Sequence, residues 1–197
     1  MSLVDLRMFC NWLDLDEDNV NSTLVDMVTD TAQALCEHYC DRKFDNGTFT
    51  EYHDITDTRT SFIYVRNPPI ISVTSLTDDA QDSTPDTIDS DEYILSATAG
   101  KIQLDNTNQS FPTVYPGYFT RGDQSVCVVY VGGYTAVTAP AGLRLAVLQQ
   151  AAFFWNNRDQ IGIAASSVDG ESVTPETAGM IPGQVRMLLG PYRRLTA

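Results

Sequence analysis

Ten apolar side chains between Leu143 and Trp155 (Leu143, Leu145, Ala146, Val147, Leu148, Ala151, Ala152, Phe153, Phe154 and Trp155) cover almost every face of one helix. Pro140 stands where its fixed φ suits a first turn. A helix that is apolar nearly all round is buried on all sides. A chain of 197 residues has little material to cover it, so part of that burial is expected to come from a neighbouring copy.

The rest of the chain changes periodicity. Ser2-Leu3-Val4-Asp5 predicts a short helix over about 2–12, with Ser2 as cap and Asp5 answering it. Val20, Leu24, Met27, Val28, Thr31, Leu35 and Tyr39 recur at three- and four-residue steps and predict a long amphipathic helix over about 18–41. The middle reads as β: strands around Phe49 to Ile55, 61–65, 70–76, a hairpin of 93–95 with 101–104, and 126–131 stopped by Gly132-Gly133. Residues 77–92, 105–125 and 159–181 read as loops. A last short helix, 184–189, follows Pro182 and is broken by Gly190-Pro191. The fold expected is α+β: a helical bundle formed by both chain ends, with a β-rich insertion in the middle. Its parts are 1–48 (N-terminal helices), 49–131 (insertion) and 132–197 (C-terminal helices and docking tail), one domain in all. The helices 18–41 and 140–158 should pack together, burying Trp155, Phe154, Leu148, Leu143, Leu24 and Leu35.

Twelve basic and 26 acidic side chains give a net charge of −14. That balance opposes nonspecific nucleic-acid binding, which rests on Lys and Arg neutralising phosphates. The charge is uneven: 20 acids and 5 bases in residues 1–100, against 6 and 7 in 101–197. Either the acids are a solvated surface, or the molecule has two faces of opposite character suited to head-to-tail contacts. No apolar run reaches the roughly 18–20 residues of a membrane span. The N-terminus shows neither a basic n-region nor an apolar h-region, so no secretory signal is expected. Cys10, Cys36, Cys40 and Cys127 are then expected as thiols.

Candidate chemistry is thin. Asp14, Asp16 and Asp18 have the first spacings of a calcium loop, but Asn19 and Val25 replace its glycine and glutamate. Cys36, His38 and Cys40 share one helical turn and point in divergent directions, so they do not make a zinc site. His38 and His53 are the only histidines, and no nucleophile elbow or phosphate-binding loop is present. Arg121-Gly122-Asp123 matches an adhesion tripeptide, and equally a turn. Arg186, Arg193 and Arg194 near the C-terminus either complement a helix dipole or dock on an acidic partner. No catalytic residue, metal or cofactor is assigned.

The order of segments resembles one family: the head–tail connector (adaptor, or head-completion) proteins of long-tailed bacteriophages and prophages. The segments are Ser2-Leu3-Val4-Asp5-Leu6, the acids 14–18 before a long helix, and Glu37-His38-Tyr39-Cys40-Asp41-Arg42. They continue with Pro68-Pro69-Ile70-Ile71-Ser72-Val73, Val128-Val129-Tyr130-Val131-Gly132-Gly133-Tyr134 and Pro140-Ala141-Gly142-Leu143-Arg144-Leu145. Phe154-Trp155-Asn156-Asn157-Arg158 and Met187-Leu188-Leu189-Gly190-Pro191-Tyr192-Arg193 close the set. Asn156 departs from the family's usual glutamate.

The resemblance implies a structural, non-enzymatic adaptor at the virion neck, assembled in the host bacterial cytoplasm. Such a protein forms a homo-oligomeric ring of about twelve copies between the portal protein and the stopper or tail-completion protein. The ring extends a channel through which DNA passes without specific binding, and touches no membrane. Arg186, Tyr192, Arg193 and Arg194 are expected to dock on the portal or a neighbouring copy, and Leu143, Leu148, Phe154 and Trp155 to form the core or oligomer helix. Deleting 182–197 should abolish attachment and leave the fold intact. The rival readings are a stand-alone β-rich binding or adhesion domain using 105–125, and a tail-side completion protein.

Overall fold

The structure is a computed structural model that describes residues 3–105, 117–158, 166–168, 171–173 and 181–194. The chain divides into two compact units, one of residues 1–42 with 135–197, the other of residues 43–134.

Among the described residues, the first unit holds four α-helices. α1 (Leu6–Leu13) is capped by Asp5, whose carboxylate accepts from the Met8 amide at 2.7 Å, so Asp5 is the cap itself and not its answering partner. Ser2 lies outside the described residues. α2 (Ser22–Cys40) starts later than its acidic prelude suggested. The reason is local: Asn21 accepts from the Leu24 amide, while Asp16 is spent on the Asp18 amide and the Asn19 side chain in the preceding turn. Both helices end on an aspartate in the left-handed region, Asp14 at φ 55° and Asp41 at φ 52°. α3 (Ala141–Asn156) follows Pro140, and α4 (Gly183–Leu189) follows Pro182 and runs into a 3-10 turn, Gly190–Tyr192. α2 and α4 pack on α3, as does α1.

The second unit is antiparallel β. β1 (Gly47–Ile55), β7 (Gly122–Gly132), β3 (Ile70–Asp78) and β4 (Asp86–Ile88) form one sheet in the order β1-β7-β3-β4. β2 (Phe62–Tyr64), β6 (Lys101–Leu104) and β5 (Tyr93–Ser96) form another, in the order β2-β6-β5. Both sheets contribute to one apolar cluster that includes Ile63, Leu76, Ile102, Phe119, Val126 and Val128. β4 falls in a stretch read from sequence as loop. Its three residues show no alternation and gain strand geometry by pairing Thr87 with Thr77 and Asp86 with Asp78. A further hairpin, β8 (Ser166–Val168) with β9 (Glu171–Val173), interrupts the segment 159–181, also read as loop.

The expected helical bundle from both chain ends is therefore corrected: the chain is a mixed α+β fold, with four α-helices and antiparallel sheets among the described residues. Two of the helices have only 8 and 7 residues, about two turns each, too short for the side-by-side packing of a bundle. The β8–β9 hairpin also stands between α3 and α4.

Two carboxylates, half-buried Glu51 and buried Asp78, tie the β unit together. Glu51 on β1 accepts from the Arg66 amide at 2.9 Å, from the Asn67 side chain at 3.3 Å and from the Tyr130 hydroxyl. Tyr130 in turn accepts from the Asn67 amide at 3.0 Å. Burial, then the neighbouring Glu51 carboxylate, push the Tyr130 phenol well above its ordinary range. Asp78 accepts from the Thr120 amide at 2.9 Å and from its hydroxyl at 2.9 Å. Burial raises its carboxyl, and the Thr120 bonds oppose that shift. Pro68-Pro69 is cis.

Gly132-Gly133-Tyr134 does more than end a strand. The Tyr134 amide donates to the Phe44 carbonyl at 2.7 Å, and the Asn46 amide donates to the Tyr134 carbonyl at 2.9 Å. The two chain ends of the β unit are thus bonded to each other. Gly133 has φ 91°, and a Cβ there would stand 2.3 Å from the Asp45 carbonyl oxygen.

Candidate functional site

The surfaces of the helical unit carry the side chains singled out from sequence. On α3, Leu143 and Leu148 are buried, while Phe154 and Trp155 are half-buried. Trp155 meets Phe9 edge-on at 5.5 Å between ring centroids, and the Arg158 guanidinium lies over its ring at 4.4 Å. Trp155 therefore contacts both α1 and a cation.

The C-terminal cations are partly engaged within the unit. Arg194 donates its amide to the Cys40 carbonyl at 2.9 Å, and its guanidinium stands 3.6 Å from Asp41. Arg193 lies 5.4 Å over the ring of Tyr39. Arg186 donates Nε to the Ile181 carbonyl at 2.8 Å. Arg193 and Arg186 remain exposed; Tyr192 is half-buried. Arg193 and Arg194 thus lie at the last turn of α2, where the Arg194 amide satisfies the Cys40 carbonyl that a helix terminus leaves open. Val185 and Leu189 are buried at the core of the unit. A deletion of 182–197 removes both, so it cannot be expected to leave the fold intact.

α2 holds the largest departure from the sequence reading. Its buried side consists of Val25, Thr29, Ala32, Gln33, Cys36, Glu37 and Cys40. Leu24 is 39% exposed and Met27 62%, and Val28 and Leu35 are half-buried. The periodic apolar stripe is real, but the chain buries the opposite side. The inward side works because its residues are small or mutually bonded. Gln33 donates to Glu37 at 3.2 Å and accepts from the Leu3 amide at 2.7 Å. Burial drives the Cys36 thiol up to about 12 and the Cys40 thiol to about 11, which keeps both protonated at neutral pH. α4 shows a matching signal that the sequence reading missed: Met187, opposite buried Val185 and Leu189, is 80% exposed. An open groove of about 440 Å³ beside α1 is lined by Asp5, Arg7, Met8, Asn11, Trp12 and Leu148.

Other sequence candidates are dispersed. Cys36 and Cys40 face inward and His38 outward. Among the described residues, no group of three or more His, Cys, Asp or Glu could hold a metal ion, and no helix is long and apolar enough to cross a membrane. Asp14 is the helix-terminal αL residue and Asp16 a turn acceptor, which accounts for the acidic prelude as backbone chemistry. Arg121-Gly122-Asp123 forms the entry to β7, where Asp54 accepts from the Gln124 amide at 2.7 Å. Much of the 105–125 segment lies outside the described residues.

The family described as head completion protein matches residues 2–195. The chain belongs to the head completion protein family. Head completion proteins are structural components of a virion, not enzymes in general. The fold is similar to chains in three solved structures of gene transfer agent particles. In the neck of an empty particle computed with C6 symmetry, the identity is 13% and the TM-score 0.61, covering 99% of this chain and 91% of that one. In the virion of a native particle the values are 15% and 0.59, with the same coverage. In the neck of a native particle computed with C12 symmetry they are 15% and 0.52, over 88% and 84%. No curated protein matches the sequence.

Proposed function

We propose that this protein is a neck component at the head–tail junction of a phage-like particle. There it forms a closed ring that joins the portal protein to the stopper or tail-completion protein and extends the DNA channel. The observation that carries the reading is the agreement of fold over 99% of the chain with a neck chain, in a chain whose residues 2–195 match the head completion family. Three features of the molecule support it. α2 leaves Leu24 and Met27 of its apolar stripe exposed. The cations Arg186 and Arg193 stay exposed in an otherwise acidic molecule. The net charge of −14 suits a wall that DNA slides past, because each Lys or Arg contact to phosphate adds binding and friction. Arg186, Tyr192, Arg193 and Arg194 are the residues proposed to meet the portal or a neighbouring copy.

The test is native mass spectrometry across a concentration series, alone and with the portal protein. A discrete closed ring in either condition is the expected result. A monomer at every concentration in both conditions overturns the reading. Because Val185 and Leu189 are core residues, the docking test uses Arg193→Ala with Arg194→Ala instead of truncation. Attachment to the portal or to a sister copy should fall at least about tenfold with the fold retained.

A further inference from the structure

α2 buries one side within the chain and covers its apolar stripe only in part: Val28 and Leu35 are half-buried, and Leu24 and Met27 are exposed. At about 100° per residue, Leu24, Met27, Thr31 and Leu35 fall within an arc of roughly 80°. The buried residues Val25, Thr29, Ala32, Gln33, Cys36 and Cys40 occupy the far side of the helix. Leu24 and Met27 sit in solvent at 39% and 62% exposure. Asp30, also exposed, borders the stripe, and Asp26 lies beyond it.

One patch elsewhere on the same unit has the complementary character. Met187 is 80% exposed on the outward side of α4, with Arg186 next to it and Arg193 shortly after. The buried Val185 and Leu189 fix α4 with that side out. An apolar stripe bordered by Asp30 and an apolar knob adjoined by Arg186 are matched in both hydrophobicity and charge. Apolar burial supplies affinity and the charges set the register. Repeated in one direction from copy to copy, a contact between two unlike patches builds a closed ring or an open filament.

We infer that the Leu24–Met27–Leu35 stripe of α2 receives Met187 and Arg186 of α4 from a second copy of this chain. The inference rests on the ring reading above and names its subunit contact. The flexible thioether of Met187 suits a knob that must fit between Leu24, Met27 and Thr31.

Disulfide trapping tests it. In a Cys127→Ser background, which leaves only the three buried native thiols, copies carrying Met27→Cys are mixed with copies carrying Met187→Cys and oxidised. The expected result is a mixed covalent dimer at least about tenfold more abundant than the dimer from either variant alone. Yields no higher than in the background protein overturn the inference. So does equal dimerisation of the Met27→Cys copies alone, which would mean α2 against α2. A second variant, Met27→Asp, is checked for retained helix content and then for assembly by native mass spectrometry. Loss of the oligomer supports the contact; a ring that persists overturns it and leaves the ring reading standing. If trapping succeeds but only open chains form, the contact stands and the closed ring falls.

Discussion

Gly133 shows how one residue can decide whether a unit closes. Its φ of 91° is a conformation that L side chains rarely adopt, and a methyl group would overlap the Asp45 carbonyl. The neighbours are backbone atoms of Phe44 and Asp45, a segment held in place by its hydrogen bonds to Tyr134, so they cannot yield. Gly133→Ala is expected to cost about 3 kcal/mol or more, read as a lowered urea midpoint. Gly183→Ala, where nothing lies within 4 Å, serves as the control and should shift the midpoint little. From sequence, Gly132-Gly133 reads as the end of a strand, which is correct but incomplete. The segment that needs the glycine, Phe44-Asp45, lies far away in the chain, and no local pattern announces the approach. The Glu51, Asn67 and Tyr130 cluster was hidden for the same reason: its members come from three separated segments that only the sheet brings together.

Among the elements, α2 teaches the most. Its three- and four-residue repeat located the helix to within a few residues. The repeat says where large apolar side chains line up, not which line the chain itself covers. Here the chain covers the side of Val25, Ala32 and Cys36, whose small side chains let α3 pack close. The prediction is a reversal of the usual expectation from hydrophobicity. Val25→Ala, at a fully buried site, should destabilise by roughly 1.5–3 kcal/mol. Met27→Ala removes a larger side chain, yet should change stability by no more than about 0.5 kcal/mol. Thermal or urea unfolding of the two variants settles which side faces in. The strands were legible where apolar and β-branched residues run together between turn signals, as in 126–131 of β7 and the β5–β6 hairpin. They were not where polar residues are held in place by a partner, as in β4.

At the scale of the molecule, charge and apolar surface pull in opposite directions. A net charge of −14 on every copy is a long-range repulsion between copies, and it is screened over about 8–10 Å at ordinary salt. Individual exposed ion pairs contribute only about 0–1 kcal/mol, so screening them loses little. Self-association is therefore expected to strengthen as sodium chloride rises from low to near-physiological concentration, measured by sedimentation velocity. Assembly that weakens steadily over that range would mean that charge attraction, not apolar burial, holds the copies together. The family was legible from the order of many weak segments along the chain, each common by itself. The architecture was less so, because the number and length of helices in a packed unit depend on turns such as Asp16–Asn19 that read as surface acidity.

The bonded ends of the β unit carry a mechanical meaning. Asp45 and Tyr134 pair in parallel, so the chain enters and leaves the unit in the same direction along adjacent paths. A pull that draws residue 43 backward and residue 134 forward slides the two paths past each other instead of peeling them apart. The bonds from Asn46 and Tyr134 must then stretch together, and neither can yield first. Tension entering at those two points meets its stiffest resistance at the place where it enters.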